Sequence, residues 1–458
     1  MNDVAAADPE QPLARRAALD AGGGPTSRWR VLGWGMWDWG TQPFDTVITT
    51  FVFSVYLTGS AFGSTNTTST ALAISTSVAG LLVAALAPVL GQWSDRSGRT
   101  VRNLRVLTWV LAGLSASLVV VRPDPSFLWI GLILLGVGSV VSEIASVNYN
   151  ATIEQVSSAR TVGRVSGLGW GMGYLGGIVV LLLIYVLLIQ PEVGLFGVTD
   201  ADGLDIRVSM VVCGLWTLLF TIPAFLVLRD TPRARAPVGR VGVVDSYRLV
   251  WLSLRRLWNT SRHTVYFLLA SALFRDGLAG VFAFGAVLAA GTFELSAGEV
   301  IIFGAAANII AGVSTMLFGL VDDRLGPKRV IVLSLTVLTI AGVAIFVLHD
   351  GGTTVFWTLG LLMTAFVGPA QAASRSFLAR VIPEGRSGEI FGLYATTGRV
   401  VSFLSPAAFG IAIALGAAVT GEENTQYWGI LGIAVVLVAG LIVMLPVHET
   451  DGHSVHAD

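Results

Sequence analysis

The sequence predicts an all-α membrane protein with twelve transmembrane helices arranged in two six-helix bundles. Three observations carry this. Apolar runs of about 18 to 25 residues recur along the chain, each long enough to cross a bilayer. A charged turn between the second and third runs returns half a chain later, the mark of a duplicated helical bundle. Arginines crowd the ends of the runs on one side and avoid the other.

Composition agrees. The 458 residues are 54% hydrophobic and 12% charged, roughly half the charged share of a soluble domain. Mean hydropathy is +0.75. The net charge of -1 removes any bulk electrostatic case for nucleic-acid binding. Cys213 is the only cysteine, which rules out an intrachain disulfide or a cysteine-based zinc site. His263, His349, His448, His453 and His456 are scattered over loops, helix ends and the tail, so no metal site and no cofactor is expected. The one lysine, Lys328, sits between Pro327 and Arg329, so the chain lacks the Gly-Lys-Ser/Thr of a phosphate-binding loop. No enzymatic activity is expected.

Along the chain, residues 1–30 are polar, rich in Ala and Gly, and lack an apolar core. They read as a disordered cytoplasmic tail rather than a cleaved signal peptide. The twelve spans fall at 31–57, 70–90, 104–121, 127–148, 166–190, 208–228, 264–290, 299–319, 329–348, 354–374, 391–415 and 427–446. The N-terminal bundle is thus 31–228 and the C-terminal bundle 264–446, with a cytoplasmic tail at 447–458. One side of the spans holds Arg96, Arg99, Arg102, Arg105, Arg160, Arg164, Arg324, Lys328, Arg329, Arg375, Arg380 and Arg386. The other side keeps Arg122 and Arg207. That asymmetry places both termini in the cytoplasm. Abundant Arg beside a single Lys fits a GC-rich bacterial genome, and so a multi-pass protein of the bacterial inner membrane.

The linker 229–263 opens with Pro232 and Pro237. It then sets Tyr247, Val250, Trp251, Leu254, Leu257 and Trp258 at helical spacing, with Arg248, Arg255 and Arg256 off that stripe. This predicts an amphipathic helix lying on the inner membrane surface or packed on the cytoplasmic loops.

The repeated turn is Gly91-Gln92-Trp93-Ser94-Asp95-Arg96-Ser97-Gly98-Arg99, and later Gly319-Leu320-Val321-Asp322-Asp323-Arg324-Leu325-Gly326. Gly91, Asp95, Arg96 and Gly98 match Gly319, Asp323, Arg324 and Gly326 one for one, 228 positions apart. A second repeat, at Gly163–Trp170 and Gly388–Tyr394, opens the fifth helix of each half at nearly the same offset. Gly171-Met172-Gly173-Tyr174-Leu175-Gly176 matches a dinucleotide fingerprint by letters, but no strand precedes it. Gly169, Gly173 and Gly177 instead recur every fourth residue, which permits close helix packing.

The two turns resemble the cytoplasmic motif of the major facilitator superfamily. Trp37-Asp38-Trp39-Gly40 with Phe44, the block from Arg164 to Gly177, and the block from Gln371 to Phe377 with Ile382-Pro383-Glu384 narrow the resemblance. Together they look like the vacuole-effluxer family, the fungal vacuolar amino-acid exporters and their bacterial relatives. Members of that family often carry Tyr-Asp-Trp-Ala-Asn in helix 1, where this chain has Trp37, Gly40 and Thr41. The resemblance implies a secondary active transporter of a small solute, exporting amino acids by proton-linked alternating access. By the same resemblance Gly91, Asp95, Arg96, Gly98, Arg99, Asp323, Arg324 and Gly326 are gating residues, each Asp latching the cytoplasmic side and the Arg after it pairing with nearby acids. The alternatives are a drug or sugar permease of the same fold, or a non-transporting membrane receptor or lipid-handling protein. The expected partners are the solute, the proton as coupling ion and the lipid bilayer, with no nucleic acid. Oligomeric state is left open, a monomer being sufficient.

Charges inside a span are costly and mark function by default. Asp38 and Asp45 are seven apart in helix 1, so they share a face with Trp34 and Thr41 at roughly 10 Å from each other. Either is a candidate proton carrier, or an acid paired with an arginine. Glu143 in helix 4 suits a coupling site or a structural ion pair. Arg275 and Asp276 in helix 7 neutralise each other or partners across the cavity. Arg399 in helix 11 is an isolated buried cation that holds a substrate carboxylate or pairs with one of these acids.

Overall fold

In the computed structural model the described residues are 27–230, 247–248, 251–252, 255, 258–259, 262–382, 386–422 and 424–448. Most of the N-terminal tail, Pro232, Pro237, Val250, Leu254, Arg256, Leu257 and the tail beyond His448 lie outside them. Among the described residues the chain is helical, with no strand.

The first half comprises α1 (Arg28–Pro43), α2 (Thr65–Ser97), α3 (Thr100–Ser117), α4 (Leu128–Ala151), α5 (Val162–Ile184) and α6 (Leu204–Val227). The second comprises α7 (Arg262–Gly291), α8 (Ala297–Leu325), α9 (Pro327–Val347), α10 (Gly352–Val381), α11 (Ser387–Val401), α12 (Leu404–Thr420) and α13 (Gly429–Met444). Among the described residues eleven spans are long and apolar enough to cross a membrane, α11 and α12 together counting as one. The remaining crossing is the first, which is interrupted.

That interruption has a local cause. Pro43 has no N–H to give the Trp39 carbonyl, which instead accepts from the Trp216 indole of α6 at 3.3 Å. From there the chain winds as a π-helix over Phe44–Phe51 and finishes with one α-turn at Phe53–Leu57. The hydroxyls of Thr49 and Thr50 both close on the Asp45 carbonyl, at 2.6 and 2.7 Å. Pro88 in α2 leaves the Ala84 carbonyl free in the same way, and Thr396 of α11 donates to it at 3.0 Å across the two halves. Next to it the Tyr247 hydroxyl donates to Ala85 at 3.0 Å, so the described part of the linker touches α2.

The second half repeats the packing of the first. In the first, α1 packs on α5 and α6, α2 on α4, and α3 on α4 and α6; in the second, α7 packs on α11 and α13, α8 on α10, and α9 on α10 and α13. The halves meet through α2 against α11 and α5 against α8, a reciprocal pair under the same repeat. Aliphatic side chains on the outer faces, such as Leu81, Ile133, Ile340 and Val435, are each more than 60% exposed. No water-soluble fold leaves so continuous an apolar girdle uncovered, whereas lipid covers it.

Two glycine stripes on α5 set these contacts. Gly163, Gly167 and Gly171 press on α8 at Asp322, Thr315, Gly319 and Met316. Gly169, Gly173 and Gly177, the stripe expected from the sequence, press on α1 at Trp34, Asp38 and Gln42 and on the π-helix at Thr46. Between α11 and α12 a break at Ser402 and Phe403 divides the single helix expected at 391–415.

Candidate functional site

A cavity of about 390 Å³ lies between the halves. Helix α4 presents Ser139, Ser142, Glu143, Ser146 and Asn150 to it, all on one face, and the π-turn of helix 1 adds Asp45 and Thr49. The second half faces them with Arg275, Arg375, Tyr394 and Arg399. The wall is therefore acidic and hydroxylated on one side and basic on the other.

Glu143 and Arg399 meet across this cavity, Arg399 Nη2 donating to Glu143 Oε2 at 2.7 Å. Of the two roles open to Arg399 the structure gives the acid partner, and the side chain is 40% exposed rather than buried. Arg275 and Asp276 do not neutralise each other. Arg275 turns to the cavity, donating to the Tyr394 carbonyl at 3.0 Å with its guanidinium 3.8 Å from the Tyr394 ring. Asp276 turns the other way and accepts the Ser405 N–H at 2.6 Å, capping α12 just past the break. Consecutive helix positions point about 100° apart, and each charge has gone to its own partner.

Asp38 and Asp45 part company as well. Asp45 opens on the cavity, while Asp38 is turned into the packing between helices. Asp38 Oδ2 accepts from the Tyr149 hydroxyl at 2.9 Å and from Arg375 Nη1 at 3.5 Å. Tyr149 is stacked between Trp34 and Trp37, with ring centres 4.4 and 4.2 Å away. Thr41, expected on the same face, is buried with its hydroxyl on the Trp37 carbonyl.

Arg375, expected among the cytoplasmic basic residues, has a side chain only 4% exposed, in the contact between the halves. From α10 it reaches into the first half: Nε donates to Ser166 Oγ at 2.9 Å, Nη2 to the Ser166 carbonyl at 2.6 Å, and Nη1 to Asn150 at 3.1 Å. Trp34, Tyr149 and Trp170 offer their rings around it. The tenth span is predicted to end at 374, whereas α10 runs on unbroken to Val381. The small residues Ala370, Ala372, Ala373 and Ser374 before Arg375 were the available signal, since they allow a close approach.

At the end of the molecule bearing the two repeated turns the halves are sealed. Asp95 accepts from the backbone N–H of Gly388 at 2.9 Å and of Glu389 at 2.8 Å, the first turn of α11. Asp323 accepts from the Gly163 N–H at 2.8 Å, the first turn of α5, and pairs with Arg164 at 2.9 Å. Each acid thus satisfies orphan donors at a helix start in the opposite half, where the helix dipole also favours a negative charge. Gly98 takes φ 62° and Gly326 φ 88° to end α2 and α8, conformations that favour glycine. Gly91 lies directly on the Gly388 carbonyl, and Gly319 on Gly163 and Gly167.

The arginines of the turns do not act as expected. Arg96, Arg99 and Arg324 are exposed, and no ion pair to them occurs among the described residues. The arginines that do pair at this end are Arg164 with Asp323, Arg380 with Asp322 at 2.8 Å, and Arg386 with Glu389 at 3.0 Å. Asp322 also accepts from Ser376, and Glu154 from Ser387 at 2.8 Å. Glu154 and Ser387 are not among the residues the sequence singles out.

The sequence model of the family described as "Vacuole effluxer Atg22 like" matches residues 152–455. The chain belongs to this family. An uncharacterized MFS-type transporter of Bacillus subtilis (strain 168) is 26% identical over 426 residues, covering 91% of this chain and 94% of that protein. Autophagy-related protein 22-2 of Aspergillus clavatus is 29% identical over 277 residues, 54% of this chain and 43% of the fungal one. The chain spans about half the length of the fungal relatives it matches. Among solved structures, the proton:xylose symporter XylE bound to 6-bromo-6-deoxy-D-glucose superimposes with a TM-score of 0.70 at 13% identity, over 91% of this chain and 94% of that one. A bacterial homologue of the iron transporter ferroportin in its outward-facing state gives 0.64 at 16%, over 91% and 97%. At such identities these likenesses carry the fold alone. This vacuole-effluxer family member is an all-α, multi-pass membrane protein of the major facilitator fold.

Proposed function

We propose that the protein is a secondary active transporter that exports a small solute, amino acids foremost, by proton-linked alternating access. The observation that carries this reading is the sealed contact of the halves at the end that bears the two repeated turns. They are stapled together through Asp95 and Asp323 at one end and enclose a polar, charged cavity nearer their middle. Two bundles joined in this way can rock about the cavity, exposing it to each side of the membrane in turn. The moving bodies are 31–228 and 264–446, joined by the linker 229–263. The sealed end is the cytoplasmic one in this reading, which its arginines support. The termini then lie inside, and the cell membrane of a bacterium is the setting. The word effluxer in the family's description supports export.

Asp38 is the proton site of this reading, because its partners belong to both halves. Tyr149 and Arg375 bond to the same oxygen of the carboxylate. A proton on Asp38 removes the charge that faces Arg375, and so loosens a tie that must part when the sealed end opens. Asp95 and Asp323 serve as the latches of that end.

The test is gradient-driven flux. The protein is reconstituted in liposomes, a pH gradient is imposed, and labelled amino acids are followed for the wild type and Asp38→Asn. Flux that the gradient drives in the wild type and not in the variant supports substrate class and coupling together. Equal flux in both clears Asp38 of coupling. Flux of sugars or drugs with none of amino acids leaves a transporter and removes the proposed substrate.

A further inference from the structure

Helix α3 opens with two arginines and a tryptophan on one face: Arg102, Arg105 and Trp109 follow at steps of three and four. All three are exposed, Trp109 by 50%. The Arg105 guanidinium lies 5.8 Å from the centre of the Trp109 ring. Trp109 in turn meets Phe225 of α6 edge to face, with ring centres 6.4 Å apart, and so marks a seam between α3 and α6. Val106 and Val110 on α3, with Ile222 and Leu226 on α6, flank that contact and are exposed. The first residue of α3 directly follows the repeated turn, so Arg102 and Arg105 stand at the sealed end. At 1.5 Å per residue, Trp109 lies about 6 Å further along the axis than Arg105.

Positive charge is in excess where the seam begins. Asp230, just past α6, accepts the Val101 and Arg102 N–H groups at 2.8 and 3.2 Å, which sets Arg229 beside the start of α3. That acid is spent on the helix start it caps. Arg102, Arg105 and Arg229 are exposed and form no ion pair among the described residues. The duplication supplies an internal control. The buried positions Leu104, Thr108, Leu111 and Ser115 of α3 recur 227 positions later as Ile331, Leu335, Leu338 and Gly342 of α9. In that register Arg102 matches Arg329, but Arg105 and Trp109 match Val332 and Thr336. The halves also share a cation on the end of the last helix, Arg30 on the Val227 carbonyl at 3.5 Å and Lys328 on the Leu445 carbonyl at 2.7 Å. Arg105 beside Trp109 is what the first half adds.

We propose that the seam between α3 and α6 binds one acidic phospholipid, its phosphate on Arg102 and Arg105 and its upper chains against Trp109, Phe225 and Leu226. The groups along the seam follow the order of the lipid: cations first, then an aromatic ring, then aliphatic side chains. Tryptophan favours the headgroup boundary, and arginine lays its stem on apolar surface while its head stays at the phosphate. A free phosphate ion has nothing to place on the apolar part. A phosphocholine lipid brings its own cation to arginines that already lack a counter-charge. The inference is independent of the transported solute and of the direction of transport. Both helices belong to the first half, so the lipid braces that half rather than the contact between the halves.

The experiment is native mass spectrometry of the purified full chain in detergent, with phosphatidylglycerol or phosphatidylcholine of the same acyl chains added. The wild type is expected to keep one phosphatidylglycerol at concentrations where phosphatidylcholine is shed. Arg102→Gln with Arg105→Gln should weaken that binding about 30-fold, the loss expected of two arginines at a membrane surface. Arg160→Gln with Arg329→Gln removes as much charge from exposed sites outside the seam and should leave the binding unchanged. Trp109→Leu should weaken it as well, and decides the matter where the Arg102 and Arg105 variant does not fold. Equal retention of the two lipids overturns the inference, as does an equal loss in the two arginine pairs. Release of the lipid by excess glycerol 3-phosphate would make the seam a site for free phosphate esters and overturn the lipid assignment. A dimer that excludes the lipid and is dispersed by Trp109→Leu would make the seam a contact between copies, and overturn it too.

Discussion

The carboxylate of Asp95 accepts the backbone N–H of Gly388 at 2.9 Å, although the two residues are 293 positions apart and belong to opposite halves. With the Glu389 N–H on its other oxygen, Asp95 is the N-terminal cap of α11, supplied by a different bundle. A charged cap of this kind is worth about 1–2 kcal/mol. Asp95→Asn should therefore shift the equilibrium toward opening of that end by roughly 5- to 30-fold. A cysteine placed at Ser387, in a Cys213→Ser background, reports the change as faster labelling by a water-soluble maleimide. An unchanged rate would make Asp95 an ordinary solvated turn residue.

Gly91 gives a steric test of the same contact. A Cβ there would overlap the Gly388 carbonyl oxygen, which is backbone and cannot swing aside. Gly91→Ala should keep the fold yet obstruct closure, with an overpacking cost of about 1–3 kcal/mol. Gly113→Ala is the control, since a Cβ at Gly113 meets nothing within 4 Å. It should leave transport intact and add up to about 1 kcal/mol of helix propensity. Equal flux from the two variants would remove Gly91 from the closing mechanism.

Much of this architecture is legible in the sequence because it is written twice. The match of Gly91, Asp95 and Gly98 with Gly319, Asp323 and Gly326 marks the turn in each half whose acid bonds to the opposite half, and the Gly163 and Gly388 repeats mark the helix starts those acids cap. What was not legible is pairing at a distance. Ser94 bonds Asn148 at 2.6 Å and Asp322 bonds Ser376, the same contact in each half 228 positions apart, yet neither pair shares a motif. The burial of Arg375 is not legible because hydropathy ends a span at the first charge, while an arginine with enough acceptors can be buried in a helix contact. Asp276 was misread because adjacency in sequence is not adjacency on a helix.

Arg375 should be the most sensitive charge in the molecule. Its removal leaves Asp38 buried without its cation, a situation that costs about 3–5 kcal/mol. Arg375→Met is expected to lower the thermal unfolding midpoint in detergent markedly, and adding Asp38→Asn should recover part of the loss. Arg375→Lys should rescue little, because an ammonium cannot reach Ser166 Oγ, the Ser166 carbonyl and Asn150 with the geometry of a guanidinium fork. A double variant no more stable than Arg375→Met alone would show that Asp38 and Arg375 are not energetically coupled.

Glu143 and Arg399 form the converse case, a pair that joins the halves in sight of solvent. With the two side chains 24% and 40% exposed, cavity water screens the attraction, and a coupling of about 1 kcal/mol or less is expected. Its consequence is kinetic rather than structural, since α4 and α11 must separate whenever the sealed end opens. Glu143→Gln and Arg399→Gln should each change flux in the same direction, and the double variant should resemble either single one. Reversing the pair, Glu143→Arg with Arg399→Glu, should restore flux toward the wild-type value if attraction is all that it supplies. Were the reversed pair inactive while still folded, one of the two charges would have to act on the substrate or the proton directly.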